Sequence, residues 1–257
     1  MIASIPNFFS SIKSDLTKWK PGTKVWFRGE SDGDEPDYKP LCPKIAKHGS
    51  NIENYLLQSF RRQAGALANV PPREETDMWL FLAQHYGVPT RLLDWTEGAL
   101  FALYFAINRK KPNPRVYMLN PRRLNELAGS QTYYPNYPLS WIKGDGDYVR
   151  LAWENRQVED SSLKLEIPLA FPATYQDHRM ISQRSCFTIH GRELLPIQEI
   201  LRENNIIQHE CLFEYEIDIA AIDTLLKDLS ILGISAASIF PDLDHLAKDL
   251  CAEIENL

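Results

Sequence analysis

The sequence predicts a single α+β domain, with a compact, mostly antiparallel sheet surrounded by helices. The first observation is a series of short β-rich segments that recur along the chain and are bounded by turn residues. The second is a set of longer segments with helical periodicity between them, one of which is apolar almost all the way round. Neither an internal repeat nor a Pro/Ser-rich linker divides the 257 residues, so we expect one domain over residues 1–257.

Composition narrows the classes of function. The chain is 44% hydrophobic and 24% charged with a net charge of −6, so no global basic field favours a nucleic acid or an anionic membrane. No run approaches the ~18 apolar residues of a membrane span, and no signal peptide is visible. The four cysteines are scattered without a CxxC pair, which disfavours a zinc site or a disulfide framework. We therefore predict a cytoplasmic protein with no metal and no membrane partner.

The first part of the chain alternates between helix and strand. Ile5–Lys18 has the apolar spacing of an amphipathic helix and forms the N-terminal helical element within residues 1–20. Lys24–Arg28 alternates like a strand and leads into Gly29 and an acidic loop. Two further helices are predicted at Ile52–Ala66 and at Met78–Tyr86, the second with Asp77 as its cap.

The segment Gln84–Ala106 organises the rest of the chain. Gly87-Val88-Pro89 ends the preceding helix, because proline disfavours α geometry at the residue before it. Thr90–Trp95 then runs extended and carries Arg91 and Asp94 among apolar neighbours, where charged groups need partners. Thr96 is a candidate cap for the helix Gly98–Ile107, whose apolar residues on every side predict burial. We expect a main core that includes Leu92, Leu93, Leu100, Leu103 and Phe105.

The second half of the chain contributes the other strands and helices. Residues 128–147 are rich in Gly, Asn, Pro and Tyr, and long loops of this kind often act as lids. The last helix has an apolar stripe of Leu243, Leu246 and Leu250. The remaining predicted elements are strands at Arg115–Leu119, Cys186–His190 and Cys211–Ile217, extended pieces at Leu163–Pro168 and Pro172–Tyr175, and helical segments at Pro121–Leu127, Asp177–Ile181, Ile219–Leu232 and Pro241–Glu255.

Arg28 is the first candidate for a functional role. Guanidinium binds phosphate or carboxylate bidentately, and Gly29 would let a ligand come close to the backbone. The alternative is a buried, structural Arg28 that pairs with Asp94 or Glu30.

Five further polar residues lie at helix ends and turns. Gln84, His85 and Tyr86 are consecutive, so they cannot all face the core. His85 is the best general acid–base candidate, since an imidazole titrates near neutrality, although a single histidine is more often structural. Arg179 and Gln183 are four residues apart, so one helical turn would put them on one side; the alternative is an ordinary loop before a strand.

The order of these motifs resembles the FRG domain family, which is named for its Phe-Arg-Gly motif. The resemblance runs from about Val25 to Leu246, with one departure: the family usually has a glycine near Ser185. The resemblance identifies the type of domain, but it does not indicate which reaction the domain would catalyse. The matching motifs are Phe27-Arg28-Gly29, the segment Ala83–Ala106, the segment Arg179–Phe187 and the segment Gly233–Leu243.

A weaker likeness is to the ADP-ribosyltransferases. In that fold an Arg or His on the first strand contacts NAD, a later strand ends in Ser or Thr before a helix, and a third strand begins with Glu or Gln. Arg28, Thr96 and Gln183 follow that order, but Gln183 stands where a catalytic Glu is common. The likeness implies that Arg28 holds the pyrophosphate of NAD and that Gln183 orients a ribose hydroxyl.

The same likeness assigns the remaining roles at the site. Trp95 or Tyr86 would stack on the base or nicotinamide. Asp94 would stabilise an oxocarbenium-like state, unless Arg91 neutralises it. The full candidate set is Gln183, His85 and Asp94 as catalytic groups, with Arg28, Gly29, Gln84, Tyr86, Arg91, Trp95, Thr96 and Arg179 as ligand contacts.

Three hypotheses of function follow. The first is a nucleotide-handling enzyme that cleaves NAD or transfers a group from it, acting as a toxin or defence effector. The second is a non-catalytic module that binds a nucleotide, a nucleic-acid end or a protein partner. The third is a hydrolase that uses His85. The first two require Arg28, Gln84 or His85, Thr96 and Gln183 to line one pocket, and a carboxylate within hydrogen-bonding reach of Gln183 would favour catalysis.

Overall fold

The computed structural model describes residues 1–32, 38–129, 164, 166–172 and 178–254. Nearly all of the candidate lid, residues 128–147, therefore lies outside the described residues. The strands are β1 Trp26–Glu30, β2 Leu92–Thr96, β3 Arg115–Leu119, β4 Leu169–Pro172, β5 Ser185–Ile189 and β6 Leu212–Glu216. The α-helices are α1 Ile5–Leu16, α2 Ser50–Ala64, α3 Thr76–His85, α4 Ala99–Ile107, α5 Pro121–Leu127, α6 His178–Ser182, α7 Ile197–Glu203, α8 Ile222–Ile231, α9 Ala236–Ile239 and α10 Leu243–Ile254.

The six strands form one sheet in the order β4-β5-β2-β1-β3-β6, and every neighbouring pair in that order is antiparallel. The predicted α+β class and the predicted antiparallel sheet are confirmed. Helices cover both faces of the sheet because side chains alternate along each strand. On β1, Trp26 belongs to the core under α2, α3, α5 and α7, whereas Phe27 belongs to the core under α1, α4 and α8. None of the described helices is long and apolar enough to cross a membrane.

The two central strands separate soon after they meet. β1 pairs with β3 over its whole length, but its register with β2 consists of the single pair Phe27↔Thr96. Since β1 and β2 are antiparallel, the gap lies toward the end of β1 and the start of β2. The polar residues of both strands lie beside this gap.

Helix α4 packs directly against β1. Ala102, Leu103, Ala106 and Ile107 are buried, while Leu100 and Phe105 are only half-buried, so the expectation of burial on every side is partly wrong. A Cβ at Gly29 would lie 1.7 Å from the carbonyl oxygen of Ala102. Glycine is therefore needed at position 29 for close packing between helix and strand.

Several elements differ from the sequence-based expectation. The short helices α7 and α9 have too few turns to show a periodic pattern, and neither was predicted. Helix α3 begins at Thr76 with Glu75 as its N-cap, so Asp77 is not the cap. The leucine stripe of α10 faces solvent rather than the core, with Leu243 82% exposed. By contrast, β3 and α5 have the predicted bounds.

Candidate functional site

A cavity of about 1020 Å³ occupies the gap between β1 and β2, which we call the β1–β2 cleft. This volume is at the upper end of the range of small-molecule sites, ~300–1,000 Å³. Nine of the eleven candidate residues line it: Arg28, Gly29, Gln84, His85, Asp94, Trp95, Thr96, Arg179 and Gln183. Tyr86 and Arg91 do not. A second cavity of about 860 Å³ lies between α1 and β6, and none of the candidates lines it.

Arg28 bridges the two strands where they separate. Its Nη1 donates to the carbonyl oxygen of Asp94 at 2.6 Å and lies 3.9 Å from Asp94 Oδ2, while its Nε donates to Glu30. The alternative interpretation of Arg28, as a residue paired with Asp94 or Glu30, is thus confirmed for both partners. Its side chain is still 21% exposed, and its Nη2 has no hydrogen-bond partner among the described residues. The Nε and Nη1 groups of the guanidinium are therefore fixed, and its Nη2 is open to the cleft.

The charge of Arg28 is maintained despite its environment. Burial acts to lower the pKa of the Arg28 guanidinium, but the carboxylates of Glu30 and Asp94 outweigh that effect and the net change is a rise. Arg28 consequently remains a cation throughout the physiological pH range.

Glu30 holds Arg28 and one wall of the cleft together. It lies two residues after Arg28 and therefore on the same face of the strand. Its Oε2 accepts hydrogen bonds from Tyr38 Oη at 2.8 Å and from the backbone N–H of Leu41 at 3.0 Å. Burial, together with the Glu30 carboxylate, raises the pKa of Tyr38, so the phenol remains a donor. The period-2 spacing between Arg28 and Glu30 is the sequence signal that could have indicated Glu30 as a residue of the site.

A chain of hydrogen bonds presents the Asp94 carboxylate. Thr90, which is buried, donates through Oγ1 to Gln84 Oε1 at 2.6 Å, which fixes the orientation of the amide. Gln84 Nε2 then donates to Asp94 Oδ2 at 2.9 Å. The side chain of Asp94 is 57% exposed, so its second oxygen is accessible from the cleft.

Arg91 is placed elsewhere. It is fully buried and its Nη2 and Nε lie 2.7 and 2.8 Å from Glu53 Oε2, while its Nη1 donates to the carbonyl of Gly191 at 2.8 Å. Arg91 is fixed by hydrogen bonds, as predicted, but Glu53 is its partner rather than Asp94. A ligand contact by Arg91 is therefore unsupported, and Asp94 is not neutralised by it.

The proposed stacking groups are also placed differently. Trp95 is 3% exposed and its Nε1 donates to Thr188 Oγ1 at 3.0 Å, so its indole belongs to the core. Tyr86 is 64% exposed but lies outside the cleft, beside the rings of Phe60 and His85. The expected role of Gly29 is likewise corrected, since its open Cα face meets α4 rather than a ligand.

Thr96 and Gln183 close the end of the cleft at which β1 and β2 meet. Thr96 Oγ1 donates to the carbonyl of Gln183 at 2.6 Å and accepts from the N–H of Gly98 at 3.0 Å, so it supports the start of α4 without being its N-cap residue. Gln183 Nε2 donates to the carbonyl of Ile239 at 3.3 Å. Within the described ranges no carboxylate is hydrogen-bonded to the Gln183 side chain. Arg179 lies nearby, with its guanidinium carbon 4.8 Å from the ring centroid of Phe240.

The cleft is cationic although the chain is acidic. Seven Lys and Arg side chains line its described part, against the three carboxylates of Glu30, Asp32 and Asp94. The seven cations are Arg28, Lys39, Lys44, Lys47, Arg109, Lys111 and Arg179. Such a local field attracts anions even when the net charge is −6. Among the described residues, no group of three or more His, Cys, Asp or Glu is arranged to hold a metal ion.

The arrangement defines a class of domain: a single antiparallel sheet between helices, with a cationic cleft where two central strands separate. The particular family follows from a comparison of sequences. The family model of the FRG domain matches residues 23–115, so the chain contains an FRG domain. This span includes Arg28, Gln84 and Asp94, whereas Arg179 and Gln183 lie beyond it. No curated protein and no solved structure matches the chain, and the likeness to ADP-ribosyltransferases stays a prediction from motif order.

Proposed function

We propose that the β1–β2 cleft binds a nucleotide-like small molecule through its phosphate. The observation that carries the proposal is Arg28, a permanently charged guanidinium with one face fixed by Glu30 and Asp94 and with Nη2 open to the cleft. A donor that is already oriented loses little entropy on binding, which favours phosphate recognition.

The other polar groups of the cleft suit the rest of a nucleotide. The amide of Gln84 and the imidazole of His85 lie on one wall, and the amide of Gln183 lies at the closed end. The Gln84 amide is already bonded to Thr90 and Asp94. The Gln183 amide, which has its oxygen and a second N–H beyond the bond to Ile239, can accept from and donate to the edge of a base or a ribose. Binding sites of this kind combine a few fixed polar groups with apolar walls, here Phe81, Phe105 and Phe187.

A panel of AMP, ADP, ADP-ribose and NAD tests the proposal by calorimetry and thermal shift. A ligand present at a hundredfold excess over its Kd would stabilise the folded state by about 2.7 kcal/mol. Arg28→Lys keeps a positive charge beside Glu30 but loses the guanidinium, so we expect at least about tenfold weaker binding, or ~1.4 kcal/mol.

Arg91→Lys is the matched control, since the same exchange is made in an arginine that does not touch the cleft. It should lower stability without changing the affinity of the folded protein. Absence of binding by every nucleotide of the panel, or equal affinities of Arg28→Lys and the unaltered chain, would overturn the proposal.

A second candidate is cleavage of the glycosidic bond of NAD, favoured by the accessible carboxylate of Asp94. In such a reaction the electron pair of the breaking bond leaves with nicotinamide, the carboxylate stabilises the ribosyl cation, and water or another acceptor attacks it. The Gln183 side chain, bonded to a backbone carbonyl instead of a carboxylate, favours binding over catalysis. If the chain released nicotinamide from NAD and the Asp94→Asn variant did not, catalysis would be favoured over binding alone.

The wider roles remain sequence-based predictions. These are a toxin or defence role, a cytoplasmic location, hydrolysis with His85 and binding of a protein or a nucleic-acid end. Nucleotide binding in the cleft belongs to the first hypothesis of function and is one option of the second, so it is the first property to measure.

A further inference from the structure

We infer that the ligand of the β1–β2 cleft carries at least two phosphate groups and binds in one direction, with its phosphates toward the end where the strands have separated. The inference rests on the proposed function and adds to it the charge and the orientation of the ligand. It follows from the different chemistry of the two ends of the cleft.

One end lies where β1 and β2 meet at Phe27↔Thr96, and Arg179 is its cation among the described residues that line the cleft. The hydrogen bond from Thr96 to the Gln183 carbonyl fixes this end, and the amide of Gln183 lines it. The rings of Phe105 and Phe240 pack edge to face with centroids 5.8 Å apart. Arg179 stacks over Phe240. We call this the amide end, and it suits an uncharged heterocycle.

The other end is cationic on two walls. On one wall, Lys44 and Lys47 belong to the 3₁₀ helix Lys44–Lys47, and the N–H of Ile45 within it donates to the carbonyl of Thr90, two residues before β2, at 3.4 Å. On the other wall, Arg109 and Lys111 follow α4, next to the contact between the N–H of Asp32 and the carbonyl of Pro112 at 2.9 Å. Asp32 comes two residues after β1, so both walls belong to the same end. We call it the cationic end.

Among the described residues, the Asp32 carboxylate does not neutralise Lys44 or Arg109 of the cationic end. Asp32 accepts a hydrogen bond from Asn113 at 2.5 Å and pairs with Arg115 at 3.4 Å, which is outside the cleft. In the described part of the chain, neither Lys44 nor Arg109 contacts a carboxylate. Positive charge on two facing walls raises the local concentration of anions and favours a multiply charged one.

Arg28 lies between the two ends. One of its guanidinium nitrogens, Nη2, has no hydrogen-bond partner among the described residues, which suits one phosphate in the middle of the cleft. Lys44 and Arg109 lie beyond it, and a second phosphate of the same ligand would face them. Hydrogen bonds between cations and phosphate oxygens are among the stronger ones in proteins. The ligand would therefore extend from its heterocycle at the amide end, past Arg28, to a terminal phosphate at the cationic end.

Calorimetric titration with adenosine, AMP, ADP and ATP tests this inference. We expect affinity to rise along the series, by at least about tenfold from AMP to ADP (~1.4 kcal/mol). The difference should shrink as salt is raised, because exposed charges are screened. The double variant Lys44→Gln, Arg109→Gln should lower the affinity for ADP to nearly the affinity for AMP. Arg28→Lys should lower the affinity for both nucleotides.

The matched control is Lys110→Gln. Lys110 is the neighbour of Arg109, but it pairs with Asp223 at 2.6 Å and does not line the cleft. It should leave the series unchanged. Equal affinities for AMP, ADP and ATP would overturn this inference and leave the proposed function intact. The same conclusion would follow if the double variant had the same affinities for the four ligands as the unaltered chain. Failure of all four ligands, together with ADP-ribose and NAD, would overturn both.

Discussion

Two arginine–glutamate pairs lie close to the centre of this domain, and they differ in what surrounds them. Arg91 and Glu53 are sealed, with side-chain exposures of 1% and 1%. Arg28 and Glu30 have exposures of 21% and 4%, and Arg28 opens onto the β1–β2 cleft. In each pair, the two side chains bind backbone groups as well as one another. The chemistry is the same, but only the second pair has a donor that a ligand can reach.

The comparison shows that the residue type alone does not indicate a functional arginine. Arg91 orders the segment between α3 and β2, because its guanidinium and backbone N–H both bind Glu53 of α2. Arg28 orders the site, because Glu30 and the Asp94 carbonyl hold it at the point where the strands separate. The predictions below test whether the sealed pair contributes to stability and the open pair to binding.

The largest expected effect is at Glu53. Glu53→Gln leaves the Arg91 guanidinium buried without a counter-charge, which typically costs about 3–5 kcal/mol. Urea denaturation would measure the loss. Lys110→Gln, which breaks a pair on the surface, should leave the unfolding midpoint unchanged. A loss below about 1 kcal/mol in Glu53→Gln would mean that the sealed pair is not a major support of the fold.

The next effect concerns His190, which lies beside the sealed pair. Burial lowers the pKa of His190 to about 3, and its Nε2 lies 3.1 Å from the carbonyl of Leu195. The unfolded chain binds a proton near pH 6.5 and the folded chain does not, so stability falls as pH falls from about 6.5 toward 3, by ~1.4 kcal/mol per pH unit.

Unfolding measured at pH 6.5 and pH 4.5 should therefore differ by about 2–3 kcal/mol from this group. His190→Gln retains a donor toward Leu195 but does not titrate, and it should remove that part of the pH dependence. An unchanged slope in His190→Gln would show that other groups cause the acid sensitivity.

A smaller loss is expected at Gly29. Gly29→Ala places a Cβ against the backbone of α4, and overpacking of this kind typically costs about 1–3 kcal/mol. Gly65→Ala is the control, since Gly65 has a φ of −63° and its nearest neighbour to an added Cβ is 3.8 Å away. That control should be neutral or slightly stabilising. Normal stability of Gly29→Ala with impaired binding would restore the view that Gly29 serves ligand approach.

The smallest effect on stability is expected at Asp94. Asp94→Asn retains an oxygen that can accept the hydrogen bond from Gln84, and the side chain is largely exposed. We expect a change in the free energy of unfolding within about 0.5 kcal/mol, measured by urea denaturation. A loss of several kilocalories would place Asp94 with Glu53 among the structural carboxylates.

Local patterns predicted the elements better than the partners. The bounds of β3 and α5 followed from the turn and the prolines that flank them. Gly233, with a φ of +78°, follows α8 as a C-terminal glycine should. The convergence of Arg28, Gln84, Thr96 and Gln183 on one cavity was also predicted, because polar residues at element ends can meet without being buried unpaired. Their roles stay predictions.

What the sequence could not supply was pairing across long separations. Glu53 lies in an amphipathic helix, where a carboxylate normally faces water, so nothing in its neighbourhood indicated Arg91. Gly29 followed an arginine at a strand end, a context that suits a ligand as well as a helix, and only the packing of α4 distinguishes the two. The leucine stripe of α10 had helical spacing, but spacing does not show whether another surface covers it.

The most direct test compares the two arginines in one experiment. In ¹⁵N-labelled protein, the side-chain Nε–H resonances of Arg28 and Arg91 can be followed while ADP is added, with Arg28→Lys and Arg91→Lys to assign them. We expect the Arg28 resonance to shift saturably and that of Arg91 to stay in place, because only Arg28 has a donor open to the cleft. A stationary Arg28 resonance during saturable binding of ADP would contradict the account.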